Sequence, residues 1–161
     1  MFETVAGTLN LRPETPTDLP FLQGLYASTR EQELALVPWT SQQKAAFLQS
    51  QFGLQRRHYL EHYPGAQFAV IELEERTVGR IYIYRASQEI CLMDIALLPE
   101  YRGQGIGGAL LAKLLEEAQQ QGQCVTLHVE ENNPARQWYQ RWGFERLEVR
   151  GVYWYMRWKP L

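Results

Sequence analysis

The sequence predicts a mixed α/β (α+β) fold built on a mostly antiparallel central sheet, and three observations carry that expectation. Seven short segments are rich in β-branched, aromatic and aliphatic residues, as strands are. Four others place apolar residues at helical spacing between turn signals. Three of the strand-like segments follow one another through short links, which permit only antiparallel neighbours. About 6–7 strands flanked by about four helices are expected, in a single domain spanning 1–161.

The elements follow in order. "TLNLR" (8–12) alternates and opens the sheet. Thr17 or Asp18 can cap a short helix, with Pro20 tolerated in its first turn. Residues 31–40 have no clear pattern, and Pro38 breaks them. Ser41 can cap a longer helix reaching about His62, where "YPGA" stops it. "QFAVIELE" (67–74), "TVGRIYIYR" (77–85) and "EICLMDIALL" (89–98) are the three linked strands. A helix from about Gly105 to Gln121 presents Ile106, Leu110, Leu111, Leu114, Leu115 and Ala118 on one face, and Gly122 ends it. "CVTLHV" (124–129) is a strand, and "NPARQWYQRWG" (133–143) a short helix. "FERLEV" (144–149) and "VYWYMRW" (152–158) close the chain as strands joined at Gly151. The last of these reads either as an exposed edge open to pairing across a homodimer, or as a strand whose aromatics finish the core.

Composition narrows the function. A net charge of −2 argues against a general nucleic-acid binder. The two cysteines, Cys91 and Cys124, lie in strand-like apolar surroundings and read as buried free thiols. No Cys/His grouping has metal-site spacing, so no metal is expected. No apolar run is long enough to span a membrane. The start, "MFETVAGTLN", lacks the basic and apolar blocks of a signal peptide, so a cytoplasmic location is expected. His58, His62 and His128 have no catalytic partner pattern and read as surface or satisfied-core residues.

The chemistry centres on "YRGQGIGGALL" (101–111), where Gly103, Gly105, Gly107 and Gly108 precede a helix. A helix N-terminus has unpaired N–H groups and partial positive charge, and glycines let a polyanion approach them. Gly103, Gly105 and Gly108 satisfy the dinucleotide spacing G-x-G-x-x-G. That reading fails: "PEYR" separates the glycines from their strand, and only 53 residues follow Gly108, too few for the further βα units required. No Gly-Lys-Ser/Thr is present, which excludes a P-loop.

With its arginine included, "DIALLPEYRGQGIGGALL" resembles the acetyl-CoA-binding signature of the GNAT superfamily of N-acetyltransferases, Arg/Gln-x-x-Gly-x-Gly/Ala after a strand. A second stretch, "NNPARQWYQRWGF" (132–144), is similar to that family's Asn-x-x-Ala-x-x-x-Tyr-x-x-x-Gly-Phe, here Asn132, Ala135, Tyr139, Gly143 and Phe144. Two such elements in order, separated by a strand, are far more specific than either alone. The resemblance covers about residues 67–145, and the order of elements extends it over the chain.

The resemblance implies acetyl-CoA as co-substrate and direct attack of a primary amine on the thioester in a ternary complex. The backbone of Ile95, Ala96 and Leu97 would hold the pantetheine arm like an added strand, beside a bulge that opens a cleft. Amides of Gly103, Gln104, Gly105, Ile106, Gly107 and Gly108 would cradle the pyrophosphate. Asn132 would contact the cofactor arm, and Arg102 and Arg136 are candidate phosphate contacts or solvated charges. Tyr139 would protonate the leaving thiolate. N–H groups near Leu97 would stabilise the oxyanion.

A base must deprotonate the amine. Asp94 is one candidate, since a carboxylate in an apolar strand is costly unless paired. Alternation sets it opposite Met93 and Ile95. It reads equally as a structural carboxylate paired with an arginine. Glu33 is the second candidate, with a solvated helix charge as its alternative, and Glu130 the third. The aromatics Trp39, Tyr82, Tyr84, Tyr153, Trp154 and Tyr155 are candidates to line an acceptor pocket, or to pack. Trp138 and Trp142 read as packing. The acceptor is a small-molecule or peptide amine. A different class of reading is an acyl-CoA-binding sensor of the same fold without turnover. A third keeps the enzyme with another donor, such as succinyl-CoA.

Overall fold

A computed structural model describes all residues, 1–161. The strands are β1 (Phe2–Thr4), β2 (Gly7–Pro13), β3 (Gln67–Leu73), β4 (Arg76–Arg85), β5 (Glu89–Leu97), β6 (Cys124–Glu130), β7 (Glu145–Arg150) and β8 (Tyr153–Trp158). The helices are α1 (Leu19–Ala35), α2 (Ser41–His62), α3 (Ile106–Gln121) and α4 (Ala135–Arg141). All eight strands form one sheet, in the order β1-β2-β3-β4-β5-β6-β8-β7. Every neighbouring pair is antiparallel except β5 and β6.

The architecture agrees with the expected class, with local corrections. β1 adds a strand, pairing three residues with β2. α1 is not short: it continues through residues 31–35, which have good helix formers but little apolar pattern. The cap of α2 is Thr40 rather than Ser41: the Gln43 amide donates to its Oγ1 at 3.1 Å, and the Thr40 amide donates to Gln43 Oε1 at 2.9 Å. The last strand is not an edge. β8 inserts between β6 and β7, so β7 is the exposed margin. Both cysteines are half-buried rather than buried. No helix is long and apolar enough to cross a membrane.

Helices cover both faces of the sheet. Leu9, Ala69, Ile71, Ile81, Ile83, Ile90, Leu92, Val125, Leu127 and Met156 face α3 and α4 in the main core. The α3 stripe predicted from periodicity is the buried one, from Ile106 to Ala118. Each of its leucines contributes about 1.5–3 kcal/mol by leaving water. The other face packs Val70 against Leu22 and Tyr26 of α1 and Phe52 of α2. It also carries the polar residues Arg80, Tyr82 and Asp94, which form the site described next.

Candidate active site

The site begins where two strands part. β5 and β6 pair only through Glu89–Cys124, Ile90–Val125 and Cys91–Thr126. Both then run on, β5 to Leu97 and β6 to Glu130, without pairing each other. The cause lies in β5. Tyr82 pairs with Asp94 and Ile83 with Leu92, so Met93 is an extra residue, a β-bulge. The bulge resets the alternation. Ile95 and Leu97 return to the main core, while Asp94 faces the α1–α2 side. Asp94 is thus opposite Ile95 as expected, but Met93 belongs to neither register. Beyond the bulge, the β6-facing edge of Ile95, Ala96 and Leu97 has no strand beside it.

β4 approaches this segment unusually closely. A Cβ on Gly79 would stand 2.3 Å from the Ala96 carbonyl oxygen and 2.8 Å from Leu97 Cδ2. Gly79 lets β4 close on β5 from one side while the other side stays open.

The four glycines divide by task. Gly103 and Gly105 have φ of +74° and +85°, the left-handed region that favours glycine. They turn the chain from the short 3-10 turn Pro99–Tyr101 into α3. Gly107 and Gly108 are helical, and their would-be Cβ atoms meet Trp138 at 3.7 Å and Trp142 at 3.5 Å. A Cβ at either would make only ordinary contact, so only the first two glycines need a special backbone. The turn leaves six consecutive amides, Gly103 to Gly108, donating to no protein acceptor; Ala109 is the first to bond back, to Gly105 O at 3.0 Å. An ordinary helix start leaves four. Arg102 Nε donates to Leu97 O at 3.1 Å, and Gln104 Nε2 to Glu100 O at 2.8 Å. Both side chains therefore brace the loop.

α4 supplies Tyr139. Its ring is buried against Trp138 and Phe144. Burial first, and the Asp94 charge second, push the hydroxyl well above the ordinary tyrosine range, and no hydrogen bond within the chain contributes. A tyrosine in this setting keeps its proton at neutral pH. Asn132 is exposed at the entrance to α4, and the neighbouring Asn133 caps it by accepting from the Ala135 amide at 2.9 Å. The Arg136 guanidinium lies 4.8 Å over the Trp154 ring, and Arg146 lies 4.9 Å from it.

The three candidate carboxylates have arginine partners. Asp94 Oδ2 accepts from Arg80 Nε at 2.6 Å. Glu33 and Glu130 share Arg30 Nη1, each at 3.2 Å. Glu33 is the more exposed of that pair, with 54% of its side chain accessible against 27% for Glu130. The Arg30 bridge ties α1 to the open end of β6. The aromatics do not form one pocket. Tyr82 is buried with its hydroxyl on Glu14 Oε1 at 2.5 Å, Tyr84 packs on Tyr63, Trp39 on Phe47, and Trp154 lies on the opposite face.

His128 carries one ring nitrogen 3.0 Å from Arg150 Nη1 and lies tilted against Tyr155; burial, then the Arg150 charge, lowers its pKa. Arg80 was not singled out in the sequence. Its signal is a cation in the middle of "TVGRIYIYR", sharing a face with Tyr82, one hairpin away from a lone anion in "CLMDIALL".

A model of the acetyltransferase (GNAT) domain matches residues 64–146, from the turn before β3 to the first residues of β7. The chain belongs to the GNAT superfamily of N-acetyltransferases. Among its relatives is the [ribosomal protein bS18]-alanine N-acetyltransferase of Haemophilus influenzae, 32% identical over 124 residues, or 76% of this chain and 75% of that protein. The crystal structure of the PaiA N-acetyltransferase of Thermoplasma acidophilum in complex with coenzyme A shares the fold, with a TM-score of 0.70 and 18% identity over 94% of this chain and 99% of that one. The ribosomal-protein-S18-alanine N-acetyltransferase of Escherichia coli does so at a TM-score of 0.62, 20% identical over 94% of each chain.

Proposed function

We propose that this GNAT enzyme transfers an acetyl group from acetyl-CoA to a primary amine by direct attack in a ternary complex, and that the amine is a peptide N-terminus. The observation that carries the donor is the run of six unpartnered amides at the start of α3, set beside the unpaired edge of β5. Such an amide run suits a pyrophosphate, and a strand edge suits the amide groups of a pantetheine arm. The bound donor supplies an activated acetyl carbonyl and a thiolate leaving group.

The chain's own residues do the rest. Ile95, Ala96 and Leu97 align the arm, and Gly103 to Gly108 hold the phosphates. Backbone N–H groups near Leu97 polarise the carbonyl. Asp94 attracts the acceptor's ammonium and takes its proton, directly or through water. Glu33 and Glu130, joined through Arg30, add negative character to the acceptor side. Tyr139 keeps its proton until the thiolate leaves, donates it, and is reprotonated through water by the second proton that the new amide nitrogen sheds. Asn132 contacts the arm. Arg102 and Arg136 support the loop and α4 from behind. The peptide acceptor is supported by the relatives named for alanine acetylation and by the concentration of carboxylates around the opening.

Calorimetric titration of acetyl-CoA into wild type, Gly105→Asn and Gly105→Asp tests the donor site. Asn and Asp both tolerate a positive φ, so the pair isolates charge. Micromolar binding by wild type and Gly105→Asn, lost in Gly105→Asp, is expected. Equal binding by the two variants would remove the phosphate from this turn. Thiol release with an alanine-initiated peptide, against small amines, then tests the acceptor. Binding without release for any amine would favour a sensor.

A further inference from the structure

Arg80 occupies the middle of β4 with only 3% of its surface exposed, in the least hospitable place for a cation. Its Nε donates to Asp94 at 2.6 Å and its Nη2 to Gln55 Oε1 of α2 at 2.8 Å. The guanidinium lies 4.8 Å over the Tyr82 ring, and Nη1 is buried with no partner. Burying such a group costs several kcal/mol, and a well-packed apolar pair of the same volume is often at least as stable. Stability alone therefore does not account for the pair.

Geometry does. Asp94 is the residue immediately after the Met93 bulge, where β5 turns away from β6. One of its oxygens is fixed by Arg80, while the other accepts from no protein group, and the side chain is 25% exposed. The charged and titratable groups around it are Arg80 and Tyr82 of β4, Tyr59 of α2 and Tyr139 of α4. Arg80 is the sole cation among them.

We infer that Arg80 is a positioning residue for acetyl transfer: it holds Asp94 as an oriented anion, with one oxygen presented to the acceptor amine, and through Gln55 it fixes α2 against that centre. The inference rests on the proposed role of Asp94 in amine binding. Arg80 itself does not touch the substrate. Its effect is on the acceptor half of the reaction and not on the donor half.

The test compares Arg80→Met, Arg80→Lys, Asp94→Asn, the double variant Arg80→Met/Asp94→Asn and the apolar pair Arg80→Met/Asp94→Leu. Readouts are kcat and KM for the amine, acetyl-CoA affinity by calorimetry, and melting temperature. Arg80→Met is expected to lower kcat/KM for the amine on the order of tenfold to a hundredfold, with acetyl-CoA affinity unchanged. Arg80→Lys should recover part of the loss. Arg80→Met/Asp94→Asn should be no worse than the poorer single variant, because both act through one carboxylate. The apolar pair should fold with a melting temperature near wild type yet stay as inactive as Asp94→Asn, which keeps the test valid if Arg80→Met alone is unstable.

Three results would overturn the inference: additive losses in the double variant, equal loss of acetyl-CoA affinity, or activity restored by the apolar pair. Absence of transfer by wild type, with acetyl-CoA bound, would instead sink the proposed function.

Discussion

Replacing Gly79 by alanine perturbs the proposed donor site from the strand behind it. The new methyl carbon would stand 2.3 Å from the Ala96 carbonyl oxygen, 2.8 Å from Leu97 Cδ2 and 3.2 Å from Leu97 Cα. A carbon–oxygen contact between neighbouring strands settles at about 3.3–3.6 Å, so β4 and β5 must separate locally by about 1 Å. Leu97 can rotate, but the carbonyl belongs to the backbone and cannot yield alone. Overpacking of this kind costs about 1–3 kcal/mol, a fall in melting temperature of roughly 2–12 °C for a chain of this size. The displaced segment is the one proposed to align the pantetheine arm, so acetyl-CoA affinity should fall together with stability. Differential scanning calorimetry and isothermal titration on the same preparations measure both. An unchanged melting temperature would refute the reasoning, because the strands would then be free to widen. A lower melting temperature with unchanged affinity would separate the packing from the proposed arm site.

Two further outcomes follow from the tyrosines. Tyr139→Phe should lower kcat on the order of a hundredfold while leaving acetyl-CoA affinity intact, as stopped-flow thiol release and calorimetry would show; an unchanged kcat would remove Tyr139 from proton transfer. Burial raises the pKa of Tyr59, Tyr63, Tyr82 and Tyr139 in the folded state. The native state therefore holds protons that the unfolded chain releases above its ordinary tyrosine pKa of about 10. Stability should be indifferent to these groups below that pH and fall as pH rises through it. Tyrosinate absorbance should show Tyr59, Tyr82 and Tyr139 ionising only with unfolding, and Tyr63 at higher pH than an exposed tyrosine. Ionisation of all nine tyrosines in the folded protein would contradict the burial.

Much of this arrangement was legible in the chain. The α3 stripe, the short β3–β4–β5 links and the paired motifs around Gly103 and Tyr139 are local signals, and local signals survive into structure. What was hidden is non-local. The Met93 bulge cannot be seen in "CLMDIALL" because apolar residues occupy both registers. The order β6-β8-β7 cannot be seen because a closing hairpin can dock by either strand. The α1 extension past residue 30 is held by its tertiary bridge from Arg30 to Glu130, a hundred residues away in the chain. At the site, Asp94 was visible as an anomaly, and its partner Arg80 became visible only once the hairpin register brought the two strands together. The four glycines look alike in the sequence, yet only Gly103 and Gly105 take a left-handed backbone, and spacing does not distinguish a glycine that bends the chain from one that lies in a regular helix.

Three rungs between β5 and β6 are all that stitches the sheet across its middle. In mechanical terms the molecule is two plates, β1 to β5 and β6 to β7, sharing a short seam, with α3 as the strap between them. Past Thr126 and Cys91 each strand is held from one side only, β6 by β8 and β5 by β4. The plates are natural units of separate opening in hydrogen exchange. A donor laid along β5 and anchored on α3 would lengthen the seam from the inside. Its affinity for the folded state alone would then appear as resistance to that opening, and the protein would be most nearly one body when loaded to react.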